Sequence, residues 1–200
     1  MANWASTSYA VEGPKEVLQK IEYALNNPIL HEKEGDSEGW EGGVLRTLGI
    51  TWEDRKPDGS GDYLRGFIRP DVEPWYDTTT GALRFEAEEA WGITDFKEVL
   101  ERNFPDIKVY YSVEECGEEI YATNDKEGKY FKDRYFVDTC IDSNYDSDYF
   151  MFESSVYKYL HNLTDGRVSS EKDVEEFNSK YEDLCDSENW IHIHKFNVID

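Results

Sequence analysis

The sequence predicts an α+β protein built on an antiparallel sheet with helices on one face. Three observations favour this class. Apolar and polar residues alternate in several short segments, which is typical of half-buried strands. Other segments carry apolar residues at helical spacing. Aromatic residues make up 15% of the 200-residue chain, so it can bury a core despite a formal charge of −23.

The chain begins with a predicted strand and a predicted helix. Residues 4–12 are rich in β-compatible side chains and end at the turn signal Gly13–Pro14. A helix is predicted over residues 14–26, because its apolar residues recur on one face: Val17, Leu18, Ile21 and Leu25. Residues 27–80 are rich in Gly, Glu and Asp and are expected to be an irregular acidic insertion, interrupted by a short helix or strand at Val44–Leu48.

Regular structure is predicted again from residue 82 onward. Residues 82–91 alternate as a strand with one buried face, and residues 96–103 form a helix that stops before Pro105. An antiparallel meander is expected to follow, with strands at 107–113, about 120–122, and 129–137. Helices at 154–163 and after Ser169 or Ser170, then a strand at 190–199, complete the chain.

This order predicts two regions. If the insertion contains one more strand, residues 1–125 have the βαββαβ order of a ferredoxin-like layer. Residues 126–200 are then a strand–helix–helix–strand extension, which we expect to pack on the same core.

Several short motifs together resemble a known family. The residues are Met1–Trp4, Gly13–Glu16, Trp91 before a helix that ends Phe104–Asp106, and Glu114–Gly117. In order and spacing they are similar to the YubB ferredoxin-like domain family, found in phages, plasmids and gut bacteria. The chain differs from that family at Ala5, where a Cys is common, and at Gly92–Ile93, where two prolines are common. The resemblance implies a fold and a bacterial or mobile-element origin, but no catalytic residues.

The charge balance limits the possible partners. The chain holds 44 Asp and Glu residues against 21 Lys and Arg. Direct binding to nucleic acid or to an anionic membrane surface is therefore not expected. The main hypothesis is a non-enzymatic interaction module that binds a basic protein, in its strongest form as a nucleic-acid mimic. An acidic surface that only keeps the protein soluble gives the same composition.

The sequence also predicts a location. The N-terminal residues lack a signal peptide, and no apolar run is long enough to cross a membrane. Three widely spaced cysteines fit a reducing compartment better than a disulfide scaffold. A cytoplasmic protein is expected.

An acidic segment has the spacing of a calcium-binding loop. Side-chain oxygens at loop positions 1, 3, 5, 7 and 12 are supplied by Asp142, Asn144, Asp146, Asp148 and Glu153. Ser147 stands where the loop needs Gly, and a strand rather than a helix is predicted before it. An acidic turn is the favoured interpretation, with a calcium site as the alternative.

Two histidines form an HxH motif on the last predicted strand. His192 and His194 project from the same face and could bind a transition metal with a third ligand from a neighbouring strand. The favoured alternative is that both are half-exposed beside an aromatic side chain.

Large aromatic residues lie within the acidic insertion. Trp40, Trp52, Trp75 and Tyr76 either pack the insertion onto the core, which is favoured, or form part of a partner-binding surface.

No motif predicts an enzyme or a cofactor. Adjacent acidic pairs such as Glu88–Glu89 and Glu114–Glu115 lack a neighbouring nucleophile motif, and we expect them to be solvated surface. An enzyme that uses the Asp142–Glu153 loop or the two histidines remains the alternative function.

Overall fold

The computed structural model describes residues 3–29, 40–182 and 189–199, and shows a mixed α/β protein. These residues form five helices and ten strands, and the strands belong to two sheets. The chain divides into two compact units, residues 1–126 with 199–200, and residues 127–198. The buried apolar residues form two clusters, one in each unit, rather than the single core that the sequence suggested. The second unit has its own sheet, which explains its separate core.

The first unit contains six strands and three helices among its described residues. In chain order they are β1 (Trp4–Glu12), α1 (Lys15–Asn26), α2 (Glu41–Thr47), β2 (Gly66–Ile68), β3 (Trp75–Asp77), β4 (Ala82–Ala90), α3 (Phe96–Asn103), β5 (Lys108–Glu115) and β6 (Ile120–Thr123). The strand and helix predicted at the start of the chain are confirmed, as are β4 and α3.

The sheet of the first unit is antiparallel where its strand pairs are described. Its order includes β6-β5-β1-β4-β2, and β3 also pairs with β4. This sheet has more strands than the four of a simple ferredoxin-like layer.

Alternate residues of β1 and β4 face the core. Tyr9 lies opposite Phe85 in the register, and the two rings stack with their centroids 4.7 Å apart. Phe96 of α3 packs edge-on against both rings, at 6.3 Å from Tyr9 and 6.1 Å from Phe85. All three side chains are fully buried, so these aromatics join the sheet to α3.

The predicted irregular insertion contributes to the core, which corrects the sequence interpretation of residues 27–80. Residues 30–39 lie outside the described part of the chain. The rest includes α2, β2 and β3, and it buries Val44, Leu45 and Ile68 in the first cluster. The short element predicted at 44–48 falls in helix α2, whereas polar runs hid β2 and β3, whose stability comes from tertiary packing.

The second unit contains four strands and two helices among its described residues. They are β7 (Tyr135–Ile141), β8 (Asn144–Phe150), α4 (Glu153–Leu163), α5 (Glu171–Glu182), β9 (Trp190–Lys195) and β10 (Asn197–Val198). The three-stranded sheet has the order β8-β7-β9, with both pairs antiparallel. Val156 and Leu160 of α4 and Phe177 of α5 pack in a cluster with Val137 and Ile191 of this sheet.

Two sequence predictions in this region were wrong. The third strand of the expected meander begins at Tyr135 rather than at residue 129, and it belongs to the second sheet. The segment predicted as an acidic turn or calcium loop is mostly strand β8. Acidic residues have low strand propensity, so pairing with β7 overrides the local preference of this segment.

The described helices are short relative to a lipid bilayer. None of them is long and apolar enough to cross a membrane.

Candidate functional site

The open face of the second sheet carries a regular array of aromatic and ionisable side chains. Its central row is formed by Ser147 of β8, Asp138 of β7 and His192 of β9, which lie opposite one another in the register. One flanking row is Tyr149, Phe136 and His194, and the other is Tyr145, Cys140 and Trp190. Strand geometry places all nine side chains on one face, because successive residues of a strand alternate between faces.

The opposite face of the same sheet explains this arrangement. Val137 and Ile191 point into the apolar cluster that α4 and α5 complete. Since these residues fix which side of β7 and β9 is buried, the residues next to them must project from the other side. We call the array on that other side the aromatic face.

The two histidines converge on one carboxylate at the centre of the aromatic face. His194 Nε2 lies 3.0 Å from Asp138 Oδ1, and His192 Nδ1 lies 3.7 Å from the same oxygen. These ligand-type atoms all lie within 4.8 Å of one another, a grouping of three that the described residues show at this position only. Asp138 is therefore the neighbouring-strand residue that the HxH motif required but that the sequence did not identify.

Both imidazole rings are held by aromatic neighbours. His192 stacks on Trp190, with ring centroids 4.5 Å apart and planes 17° apart. His194 stacks on Phe136 at 5.8 Å, and Phe136 in turn packs against Tyr149 at 4.7 Å. The two histidines differ in solvent exposure: the side chain of His194 is 14% exposed and that of His192 is 54% exposed.

A shallow groove runs beside the histidines along the aromatic face. Its walls include Phe136, Tyr145 and Trp190, and Asp138 supplies a carboxylate. Asp146 also borders the groove, but it alternates with Tyr145 along β8, and its carboxylate lies beside Tyr159 of α4 on the other face of the sheet. Tyr145 is 67% exposed, so its ring is accessible to a ligand. The groove thus offers π-faces and negative charge to the same ligand.

The predicted calcium ligands do not come together. Asp142 occupies a two-residue turn between β7 and β8, with a positive φ of 51°, and Ser143 follows at 61°. Asn144, Asp146 and Asp148 lie along the extended strand β8, whereas Glu153 begins α4. A calcium loop must wrap around its ion, and an extended strand spreads alternate residues over roughly 6–7 Å per pair. The segment is a β-hairpin with two left-handed turn residues.

The four predicted partner-binding aromatics separate into two pairs. Trp40 packs against Trp4 and Phe67, and Trp52 packs on the core with Arg46 above its ring. Trp75 and Tyr76 lie on β3 and are 42% and 43% exposed. Trp40 and Trp52 thus pack against other side chains of the first unit, whereas Trp75 and Tyr76 keep a large accessible surface.

The sequence analysis missed a pair of buried acids in the first unit. Glu41 of α2 and Glu89 of β4 are fully buried, which corrects the expectation that Glu89 is solvated; Glu115 is also buried. Glu89 Oε1 accepts hydrogen bonds from Tyr9 Oη at 2.7 Å and from the Thr94 backbone N–H at 3.1 Å. The strand alternation of Leu83, Phe85 and Ala87 extends to Glu89 and was the available signal.

This pair shares its environment with Thr94. Thr94 Oγ1 lies 2.7 Å from Glu89 Oε1 and 2.9 Å from Glu41 Oε1. Burial, and then the nearby Glu89 carboxylate, raise the pKa of Glu41 well above its ordinary value of 4.5. A protonated Glu41 can donate a hydrogen bond where two carboxylates would repel one another. The position of Gly66 fits this packing, because a Cβ there would overlap the Glu41 carboxyl group.

The buried acid pair has the features of a structural network. Its donors, Tyr9 and Thr94, are themselves buried, and the five main pockets among the described residues are lined by other side chains. The aromatic face, in contrast, presents its polar groups to solvent. Comparison of the chain with known protein families, with characterised proteins and with solved structures found no match. The candidate site therefore depends on the geometry alone.

Proposed function

We propose that this protein is a non-enzymatic interaction module that binds arginine side chains of a basic partner protein at the aromatic face. The observation that carries the proposal is the groove that combines the rings of Phe136, Tyr145 and Trp190 with the carboxylate of Asp138. A guanidinium group is planar, stacks on aromatic rings and pairs with carboxylates. An ammonium group interacts with both groups but lacks the planar stacking surface.

The charge of the chain supports a basic partner. The second unit holds 16 acidic and 8 basic residues, and the first holds 28 and 13. A negative potential over both units raises the association rate of a cationic partner. The aromatic face then supplies the short-range contacts that long-range attraction cannot supply. DNA-binding proteins are one source of such arginine-rich surfaces.

We also infer that the first unit is a ferredoxin-like domain and that the chain is related to the YubB family. The strand order β5-β1-β4-β2, with helices α1 and α3 in the crossovers, supports the fold. The cytoplasm is the proposed location, because three widely spaced cysteines without a CxxC pair fit a reducing compartment better than a disulfide scaffold. Cys185 lies outside the described residues.

A peptide comparison tests the proposed function. The probes are a short peptide of alternating arginine and serine and the same peptide with lysine in place of arginine. Fluorescence anisotropy at physiological salt is expected to show that the arginine peptide binds about threefold more tightly or better, since a stacked guanidinium adds about 0.5–1 kcal/mol. The preference should disappear in the Tyr145→Ser variant.

A matched control separates the groove from general attraction. Tyr23 of α1 is 64% exposed, so Tyr23→Ser removes a similar ring without touching the aromatic face. It is expected to leave both affinities unchanged. Equal affinity for the two peptides, or equal losses in the two tyrosine variants, would show that binding follows net charge and would contradict the proposal.

A further inference from the structure

We propose that Asp138, His192 and His194 form a binding site for a divalent transition-metal ion, of which zinc is the representative. The inference goes beyond the proposed function, because it concerns a different class of ligand and adds His192 and His194; only Asp138 is common to the two sites. It depends on the distances, the donor types and the supporting contacts of these three side chains.

The distances already approach those of a zinc site. Zinc–nitrogen and zinc–oxygen bonds are about 2.0–2.2 Å long, so neighbouring ligand atoms in a tetrahedral site lie roughly 3.3 Å apart. Asp138 Oδ1 lies 3.0 Å from His194 Nε2 and 3.7 Å from His192 Nδ1. The three ligand atoms all lie within 4.8 Å of one another, so closure by up to about 1.5 Å brings them to this spacing.

A hydrogen bond between Asp138 and His194 explains only part of this arrangement. His192 lies beyond hydrogen-bond distance, yet its Nδ1 is directed at the same carboxylate oxygen. A second imidazole thus lies close to the oxygen that His194 already contacts. This is the arrangement expected of three side chains that bind one metal ion. Two imidazoles and one carboxylate are ligands that zinc and other divalent first-row metals prefer, whereas calcium takes oxygen ligands.

The surroundings favour a site that opens to solvent on one side. Stacking on Trp190 and on Phe136 restricts the two rings, which lowers the entropy cost of fixing them around an ion. Because His192 is the most exposed of the three side chains, water can complete the coordination on that side. The three ligands come from two paired strands of one sheet, so the backbone positions are fixed before the metal arrives.

Metal titration tests the inference directly. Isothermal titration calorimetry with zinc chloride, and visible absorption with cobalt(II), are measured on the full chain. The expected result is one zinc ion per chain at this site and a cobalt spectrum of nitrogen and oxygen ligands without thiolate charge-transfer absorption. The affinity should fall at least tenfold in His192→Ala and in His194→Ala. Calcium is expected not to compete.

Two variants keep the test informative. His194→Gln retains a hydrogen-bond donor for Asp138 and guards against unfolding as the cause of lost binding. His161→Ala is the matched control, because His161 lies at the end of α4 and bonds to Ser169 instead. It should bind zinc as the parent chain does. Absence of zinc binding, unchanged binding in His192→Ala, or a thiolate-type cobalt spectrum would each overturn the inference.

The outcome is separable from that of the proposed function. The metal titration contains no peptide, and the peptide comparison is run with a chelator present. A metal site without an arginine preference rejects only the proposed function, and the reverse result rejects only the metal site.

Discussion

The two units place their ionisable side chains in opposite ways. In the first unit, Glu41 and Glu89 are fully buried, and Oε1 of each lies within hydrogen-bond distance of a buried hydroxyl group of its own chain. In the second unit, Asp138, His192 and His194 lie on an open sheet face beside exposed aromatic rings. Both units are acidic, so net charge alone does not distinguish them.

This contrast indicates a structural role for the buried acids of the first unit and a binding role for the exposed ionisable groups of the second unit. A buried acid whose oxygens contact the chain's own donors stabilises one packing arrangement and has no route to a ligand. Ionisable groups that solvent reaches, and that aromatic rings hold in fixed orientations, are available to an external ligand. Breaking each cluster should therefore affect different properties: stability in the first unit and binding in the second.

The largest expected effect is loss of stability in Glu89→Ala. The change removes the acceptor of the Tyr9 hydroxyl and of the Thr94 backbone N–H, and it leaves a cavity in the core. Unpaired buried donors cost about 1–3 kcal/mol each, so the free energy of unfolding should fall by about 3 kcal/mol or more. Urea denaturation measures this. The exposed control Glu73→Ala should change it by less than about 0.5 kcal/mol.

A smaller effect with a defined pH dependence is expected for Glu41→Gln. Since the folded state raises the pKa of Glu41, the unfolded chain releases this proton first as pH increases above 4.5. The stabilisation from the protonated acid is complete below that value and is lost as pH rises through the folded-state pKa.

Glutamine mimics the protonated acid at every pH. The Glu41→Gln variant should therefore be more stable than the parent at neutral pH, and this advantage should shrink toward pH 4. Thermal unfolding at a series of pH values measures the difference. A parent chain that is equally or more stable than the variant at neutral pH would show that Glu41 is ionised in the folded state.

A still smaller change in stability is expected from a substitution in the turn of the β7–β8 hairpin. Ser143 has a φ of 61°, a conformation that glycine adopts without steric cost, so Ser143→Gly should stabilise the protein by about 0.5–1 kcal/mol. Ser147→Gly, in the middle of β8, is the matched control and should destabilise it by a similar amount. Stabilisation by both changes would contradict the hairpin.

The smallest expected effect is that of added calcium on the melting temperature. Asp142, Asn144, Asp146, Asp148 and Glu153 are distributed over a turn, a strand and a helix start. Millimolar calcium should leave the melting temperature unchanged beyond its effect on ionic strength. A calcium-dependent rise that Glu153→Gln abolishes would restore the loop interpretation.

Local patterns in the sequence were sufficient for the elements with strong periodicity. The alternation of Leu83 and Phe85 and the helical spacing around Leu18 predicted β4 and α1, because both patterns reflect one buried face. Of the short elements between residues 40 and 80, α2 was predicted only as a short helix or strand at 44–48, and β2 and β3 were not located, since packing rather than local preference stabilises them. Strand β8 was missed for the same reason.

The sequence predicted the two histidines of the candidate site but not the aspartate on the neighbouring strand. The HxH spacing places His192 and His194 on one face, and that geometry follows from strand alternation alone. Asp138 is 54 residues earlier in the chain, and only the register between β7 and β9 brings it opposite His192. The burial of Glu41 likewise requires the packing of α2 on the sheet, which a single sequence does not encode as a local pattern, whereas the alternation along β4 already placed Glu89 on the buried face.

The central claim is that the aromatic face, and not the general charge, selects the ligand. Amide chemical shifts of the ¹⁵N-labelled full chain, followed during titration with the arginine–serine peptide, test this residue by residue. The account predicts that the largest changes fall in β7, β8 and β9 around Asp138, Tyr145 and Trp190, and that these changes persist at elevated salt. Small changes spread over acidic residues of both units, which vanish together as salt increases, would contradict it.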